Sequence, residues 1–354
     1  MQKVVILGTG GTIAGTAHDP SRAWAYQAAQ LSVAQLIEAV PALQGVPLEA
    51  VQVAQVDSKD MSWSVWRQLG RALHVQLERD DVAGVVITHG TDTLEETACL
   101  LQALHDGVKP VVLTAAMYPA TSPHADGPGN LRDAVHVVQE AARRCLGGVV
   151  AVMHGRVWSA HDVRKAHSHA LDAFDGGGAS PLVTLARVDA EPDGGLVRGL
   201  AGIGLRAEVD QLDEPTVEIW PSAWPTCGRF GWGYLEVNPP RVEIVCSHAD
   251  ADGWLVRAML AHAQTSERPL RGIVVAGTGH GTLHEGLTQA LREATQQGVT
   301  VWRSSRVARG GVLEREGDEW PAVPHLTAAQ ARVALTLWLL GVGTLDRLGA
   351  WDLS

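Results

Sequence analysis

Short runs of β-branched and aliphatic residues alternate along this chain with longer stretches whose apolar positions recur every three or four residues. The runs at 4–7, 84–88, 110–114, 149–153, 241–246, 272–276 and 299–303 are almost continuously apolar. That pattern predicts strands buried on both faces, as in a parallel sheet. Residues 32–40, 64–78, 94–101, 130–145, 253–263 and 283–297 carry the helical period. Alternating strands and helices with short glycine-containing turns predict an α/β fold. Ligands in such sheets bind beyond the carboxyl ends of the strands, so chemistry is expected in the residues that follow each one.

The rhythm breaks between about residues 190 and 240. Asp193-Gly194-Gly195, Pro215, Pro221, Pro225 and Pro239-Pro240 fall there among Trp220, Trp224 and Trp232. We expect a larger catalytic α/β domain over 1–189, a connection over 190–239 with a candidate strand at 216–220, and a smaller α/β domain over 240–354. Each domain should hold a mostly parallel sheet flanked by helices.

Composition narrows the function. The chain has 354 residues, long enough for two cores, with 46% hydrophobic and 19% charged residues. Acidic residues outnumber basic ones by 39 to 28, a net charge of -11, which argues against a nucleic-acid partner. Arg303, Arg306 and Arg309 are the nearest approach to a basic cluster and read as a solvated face. No apolar stretch approaches the roughly 20 residues of a membrane span. Met1-Gln2-Lys3 leads straight into the first apolar run without a leader pattern, so a cytoplasmic protein is expected; a mature secreted chain carrying an added Met would read the same. Cys99, Cys145, Cys227 and Cys246 are scattered without metal-site spacing, and no disulfide framework, metal or organic cofactor is expected.

Four strand ends carry candidate chemistry. The first strand runs into Gly8-Thr9-Gly10-Gly11-Thr12-Ile13-Ala14-Gly15. Ile13 breaks the dinucleotide-binding glycine pattern, and there is no Walker lysine. What remains is a glycine turn presenting Thr12, which an incidental threonine in a tight turn would explain equally well. A second strand runs into His89-Gly90-Thr91-Asp92-Thr93, where Thr93 and Glu96 have capping-box spacing for the next helix. Thr91 and Asp92 then stand before a helix N-terminus, where negative charge is favoured, although plain capping also selects such residues. A third end is Val56-Asp57-Ser58-Lys59-Asp60, in which Ser58 or Asp60 is expected to cap the following helix. The fourth cluster, Asp162 to His167, presents Lys165, by itself a surface lysine.

Together these segments resemble the bacterial-type L-asparaginases of the asparaginase/glutaminase family. The resemblance rests on VVILGTGGTIAG at 4–15, VDSKDMSWSVW at 56–66, GVVITHGTDTLEET at 84–97, KPVVLTAAMYPATSPHADGPGNL at 109–131, DVRKAH at 162–167 and WRSSRV at 302–307. Tyr26, followed by LSVAQLIEAVP, is similar to the family's mobile-loop tyrosine. The similarity covers most of 1–185 and 240–345.

The resemblance implies hydrolysis of L-asparagine, with L-glutamine as a lesser substrate and no cofactor. It makes Thr12 the nucleophile, with Tyr26 helping to take its proton. It makes Thr91, Asp92 and Lys165 a second catalytic cluster, in which Lys165 and Thr91 activate the water that resolves the acyl-enzyme. Ser58 and the backbone amides of Gly11, Gly90 and Thr91 would receive the substrate α-carboxylate, and Asp92 the α-ammonium. The Ala116 carbonyl would hold the leaving amide nitrogen. Lys59 departs from the family, whose members often carry glutamine or another neutral or acidic residue there; it either leans toward the carboxylate or points away. Asp250 matches a position that is often asparagine and, with Glu314 or Glu316, lies in the region that reaches a neighbouring subunit's ligand. Its alternative role is to cap the helix near Gly253. A homotetramer built as a dimer of dimers is implied. Two rival readings are the amidase subunit of a tRNA-dependent amidotransferase and a catalytically inactive amino-acid-binding module. G-x-S-x-G and H-E-x-x-H motifs are absent, which disfavours serine and metallohydrolases.

Overall fold

The computed structural model describes residues 2–17, 26–185, 187–190, 196–199, 221, 230–263 and 265–341. The expected connection lies largely outside these residues, and the candidate strand at 216–220 lies wholly outside them.

Strand β1 (Lys3–Gly10) opens the chain, followed by the paired short strands β2 (Thr16–Ala17) and β3 (Tyr26–Gln27). Next come α1 (Val33–Glu38), β4 (Leu48–Val56), α2 (Trp63–Leu77), β5 (Val82–Thr88), α3 (Leu94–Leu104), β6 (Pro110–Thr114) and α4 (Gly127–Arg143). They lead to β7 (Gly148–Met153), β8 (Arg156–Ser159), β9 (Arg164–Lys165), β10 (Phe174–Asp175), β11 (Val183–Thr184), β12 (Arg187–Ala190) and β13 (Leu196–Gly199). The last part holds β14 (Arg241–Cys246), α5 (Trp254–Ala263), β15 (Leu270–Gly277), α6 (Glu285–Gln296), β16 (Thr300–Ser305) and α7 (Ala328–Leu340).

These elements form two compact units, Met1–Leu94 with Asp106–Thr226 and Glu95–His105 with Cys227–Ser354. The expected sequential division leaves all of α3 in the first domain. Packing instead groups Glu95–His105 with the second unit, where Arg332 Nη2 donates to Glu96 Oε2 at 2.8 Å.

In the first unit seven strands lie in the order β11-β8-β7-β6-β5-β1-β4, parallel from β7 to β4, with β8 and β11 antiparallel at one edge. Both faces are covered, because Val4 and Ile6 point one way, Val5 and Leu7 the other, and all four are buried. α1 and α4 share a core with Val4, Ile6, Val86 and Val112, whereas α2 packs on β4, β1 and β5. In the second unit β14-β15-β16 form a wholly parallel sheet. Among the described residues no helix is long and apolar enough to cross a membrane.

The α/β architecture is present, and apart from the candidate strand at 216–220, which lies outside the described residues, so are the expected strands and helices, with ends moved by a few residues. β4 and α7 were missed for opposite reasons. β4 is half-buried and mixes Glu49, Gln52 and Gln55 into its run, whereas α7 is apolar almost throughout and shows no single face. A capping box between Thr327 and Gln330 announces α7. Ser62, not Ser58 or Asp60, caps α2, accepting from Val65 N–H.

Candidate active site

Sheet register brings the strand ends together. Gly8 pairs with Thr88 and Gly10 with Val56, while Thr88 pairs with Thr114. The turns after β4, β1, β5 and β6 therefore leave the carboxyl end of the sheet side by side, carrying Ser58, Thr12, Thr91 and Ala116. Two glycines allow the turns to close up. Gly11 has φ 82, and a Cβ there would fall 2.4 Å from the Gly90 Cα and nitrogen. A Cβ on Gly90 would fall 2.4 Å from Ser58 Oγ. No side chain other than hydrogen fits at either position without moving backbone.

Thr12 starts a single 3-10 turn and is buried. Its Oγ1 lies 2.7 Å from Tyr26 Oη. Tyr26 is placed by the β2–β3 pairing, in which it faces Ala17, and by Gly15, where a Cβ would strike the tyrosine ring at 2.8 Å.

The second cluster is held from the far side of the sheet end. Lys165, on β9 opposite Phe174, donates from Nζ to Thr91 Oγ1 at 2.9 Å and to Asp92 Oδ1 at 2.6 Å. Thr91 is buried, whereas the Asp92 carboxylate is half-exposed. Ser58 Oγ accepts from Asp92 N–H at 3.2 Å, which leaves its own hydrogen available to an anion. Thr93 Oγ1 donates to Ser58 O at 2.9 Å, tying the β4 and β5 turns together.

Lys59 is exposed and held by Asp57 Oδ2 at 2.6 Å and Asp60 Oδ2 at 3.1 Å. Those two carboxylates raise its pKa. In the second unit Asp250 is exposed in the loop after β14, with φ 61 in the left-handed region. It does not hold the start of α5; Asp252 Oδ1 accepts from Trp254 N–H at 2.9 Å instead. Glu314 Oε1 accepts from Ala322 N–H at 3.2 Å, and Glu316 is exposed. Among the described residues no group of three or more His, Cys, Asp or Glu side chains could hold a metal ion.

Residues 3–194 match the model of the asparaginase N-terminal domain. The chain belongs to the asparaginase family. Residues 241–347 match the glutaminase/asparaginase C-terminal domain of the same family. A probable periplasmic L-asparaginase from Haemophilus influenzae is 34% identical over 348 residues, covering 96% of this chain and 89% of the relative. A glutaminase-asparaginase from Pseudomonas fluorescens is 32% identical over 341 residues, covering 94% and 85%. The crystal structure of a probable cytoplasmic L-asparaginase from Campylobacter jejuni superposes with a TM-score of 0.78 at 30% identity, covering 100% of this chain and 99% of that one. As a member of the asparaginase family the protein is an amidohydrolase acting on carbon–nitrogen bonds.

One group of this asparaginase-family site had no assigned role in the sequence. His89 is wholly buried, and its Nδ1 lies 2.7 Å from Gly90 O, so the neutral ring donates there. Burial pushes its pKa down to about 4, and the bond to Gly90 offsets only part of that. The unfolded chain takes up this proton near pH 6.5, the folded protein only near 4. Stability from this group is therefore complete above about pH 6.5 and lost as pH falls toward 4. His89→Asn, which keeps a short donor, should flatten stability between pH 7 and 4 by up to about 3 kcal/mol. Chemical denaturation across that range measures it, and an unchanged slope would refute the assignment.

Proposed function

We propose that this protein hydrolyses L-asparagine to L-aspartate and ammonia through an acyl-enzyme on Thr12, with L-glutamine as a slower substrate. The observation that carries this reading is the pairing of Thr12 Oγ1 with Tyr26 Oη at 2.7 Å, beside a Thr91–Lys165–Asp92 cluster on the next strand end. A threonine hydroxyl needs a base within hydrogen-bond reach, and Tyr26 lies within reach of Thr12. Thr12 attacks the amide carbon, and ammonia leaves. Water activated through Thr91 and Lys165 then releases aspartate.

Ser58, with the Gly11, Gly90 and Thr91 amides, receives the α-carboxylate; Asp92 receives the α-ammonium; the Ala116 carbonyl receives the amide nitrogen. With its ammonium already held by Asp57 and Asp60, Lys59 sets the charge at the rim rather than gripping the substrate. Ammonia release by the purified protein tests the whole reading. Asparagine should give the higher kcat/KM, since one methylene is worth about 1–3 kcal/mol in a closed pocket. Failure to release ammonia from either amide would end the proposal, and preference for glutamine would reverse its substrate order. The matched relatives lend no support to a tRNA-dependent amidase subunit or an inactive binding module.

The proposal extends to assembly and place. A homotetramer of intimate dimers, in which Asp250 of one subunit approaches the ligand of another, is supported by Asp250 standing exposed on a strand-end loop. Inactive Thr12→Ala and Asp250→Ala subunits, dissociated and reassembled together, should regain activity above either parent. No recovery despite demonstrated subunit exchange would confine the site to one chain. A cytoplasmic location is supported by Cys145 and Cys246, which form no disulfide among the described residues, and by the Campylobacter protein, which is named as cytoplasmic; the Haemophilus relative is named as periplasmic.

A further inference from the structure

The loop that follows β6 is gripped by one carboxylate. Asp126 accepts from Met117 N–H with both oxygens at 3.0 Å and from Tyr118 N–H with Oδ1 at 2.9 Å. The buried Asn130 donates from Nδ2 to Asp126 Oδ2 at 3.0 Å and to Ala115 O at 2.9 Å, while its Oδ1 accepts from His154 N–H at 3.1 Å. Asp126 occupies the N-cap of α4, yet its side chain makes no cap hydrogen bond to that helix. A capping residue has been turned from its usual task to hold a loop. The positive end of α4 stabilises the carboxylate in this position.

This loop borders the nucleophile turn. A Cβ on Gly127, the first residue of α4, would lie 2.9 Å from Ile13 Cγ1 and 3.4 Å from Ala116 Cβ. Ala120 N–H donates to Gly15 O at 2.9 Å, and Ala17 N–H to Thr121 Oγ1 at 2.8 Å.

The peptide between Ala116 and Met117 is trans, so its carbonyl and its N–H point in opposite directions. Holding the Met117 N–H thus aims the Ala116 carbonyl away from Asp126. Asn130 meanwhile occupies the neighbouring Ala115 carbonyl. Accepting a bond from that N–H with a full negative charge also polarises the shared peptide and strengthens its carbonyl as an acceptor.

We infer that Asp126 is a positioning residue that aims and polarises the Ala116 carbonyl for the leaving amide nitrogen. The inference rests on the asparaginase reading and on the role given there to Ala116. It assigns to Asp126 a contribution to acylation of amides and none to the rest of substrate binding.

The test compares two substrates that share an acyl group. L-Asparagine presents N–H groups to the Ala116 carbonyl, whereas the β-methyl ester of L-aspartate presents none. Because kcat/KM reports steps only through acylation, the shared deacylation drops out. In Asp126→Ala, kcat/KM for asparagine should fall about 10- to 100-fold, the range expected for losing a charge-supported hydrogen bond. The ester should stay within about threefold of the wild type. Asn130→Ala, which loosens Asp126 without removing it, should shift the amide-to-ester ratio the same way by less. It carries the test should Asp126→Ala prove unfolded by circular dichroism. Equal losses on both substrates, or no loss on either, would overturn the inference. Wild-type protein that hydrolyses neither substrate would refute the asparaginase reading before any variant is made, and the inference with it.

Discussion

Thr12→Ala should eliminate hydrolysis of asparagine while leaving the fold and much of the substrate affinity in place. The hydroxyl is one of two partners in a 2.7 Å contact with Tyr26, and no described element depends on it for secondary structure, since the turn closes through Gly15 N–H to Thr12 O. Its loss should cost about 1 kcal/mol of stability or less, in keeping with truncation of a small side chain in a turn. The chemical cost is of another order, because groups that act directly in proton transfer or attack contribute about 10²–10⁴-fold, and loss of the attacking oxygen leaves no covalent route. Steady-state ammonia release and equilibrium binding of aspartate separate the two effects. A variant with more than about a tenth of wild-type turnover would move the nucleophile away from Thr12, and Thr91 would then be the threonine to test.

Lys165→Met should act later in the cycle. The methionine keeps the length of the side chain but removes the donor that joins Thr91 Oγ1 to Asp92 Oδ1. If this cluster activates the hydrolytic water, the first attack proceeds and the second stalls. Mixing the variant with asparagine should release a burst of about one ammonia per site, followed by turnover reduced about 10²–10⁴-fold. Mass spectrometry of the quenched protein should find one β-aspartyl group, and digestion should place it on Thr12. Slow turnover without a burst would show that Lys165 serves the attack itself. Turnover close to that of the wild type would remove it from the mechanism.

Much of the fold was legible because parallel strands buried on both faces leave apolar runs, as β1, β5, β6, β7 and β15 do, whereas β14, read the same way, leaves Ile244 and Cys246 exposed and β16 ends in Arg303, Ser304 and Ser305. β4 escaped because its residues alternate between half-buried and exposed, and α7 because helical period is visible only when one side of a helix is polar. The paired threonine motifs were visible as strand-end segments, but their adjacency was not. It depends on sheet order, in which β1 lies between β4 and β5, and single-strand patterns carry no information about neighbours. Asp126 and Asn130 stood within a quoted motif without a role, since their significance lies in which backbone groups they hold. The Ser62 cap, by contrast, is legible in the sequence, because Ser62 stands directly before the helical run and Ser58 and Asp60 lie further back. His89 was likewise visible only as part of its motif; its burial and its bond to Gly90 belong to the folded chain.

The close approach of Gly11 and Gly90 has a practical meaning for protein engineering. These two positions, 79 residues apart, each exclude a side chain on their own account, because a Cβ at Gly11 would strike the Gly90 backbone and one at Gly90 would strike Ser58. A combinatorial library that samples them would fill with clones whose strand-end turns cannot close. Lys59, whose exposed side chain is held by Asp57 and Asp60, can by contrast be varied without displacing backbone.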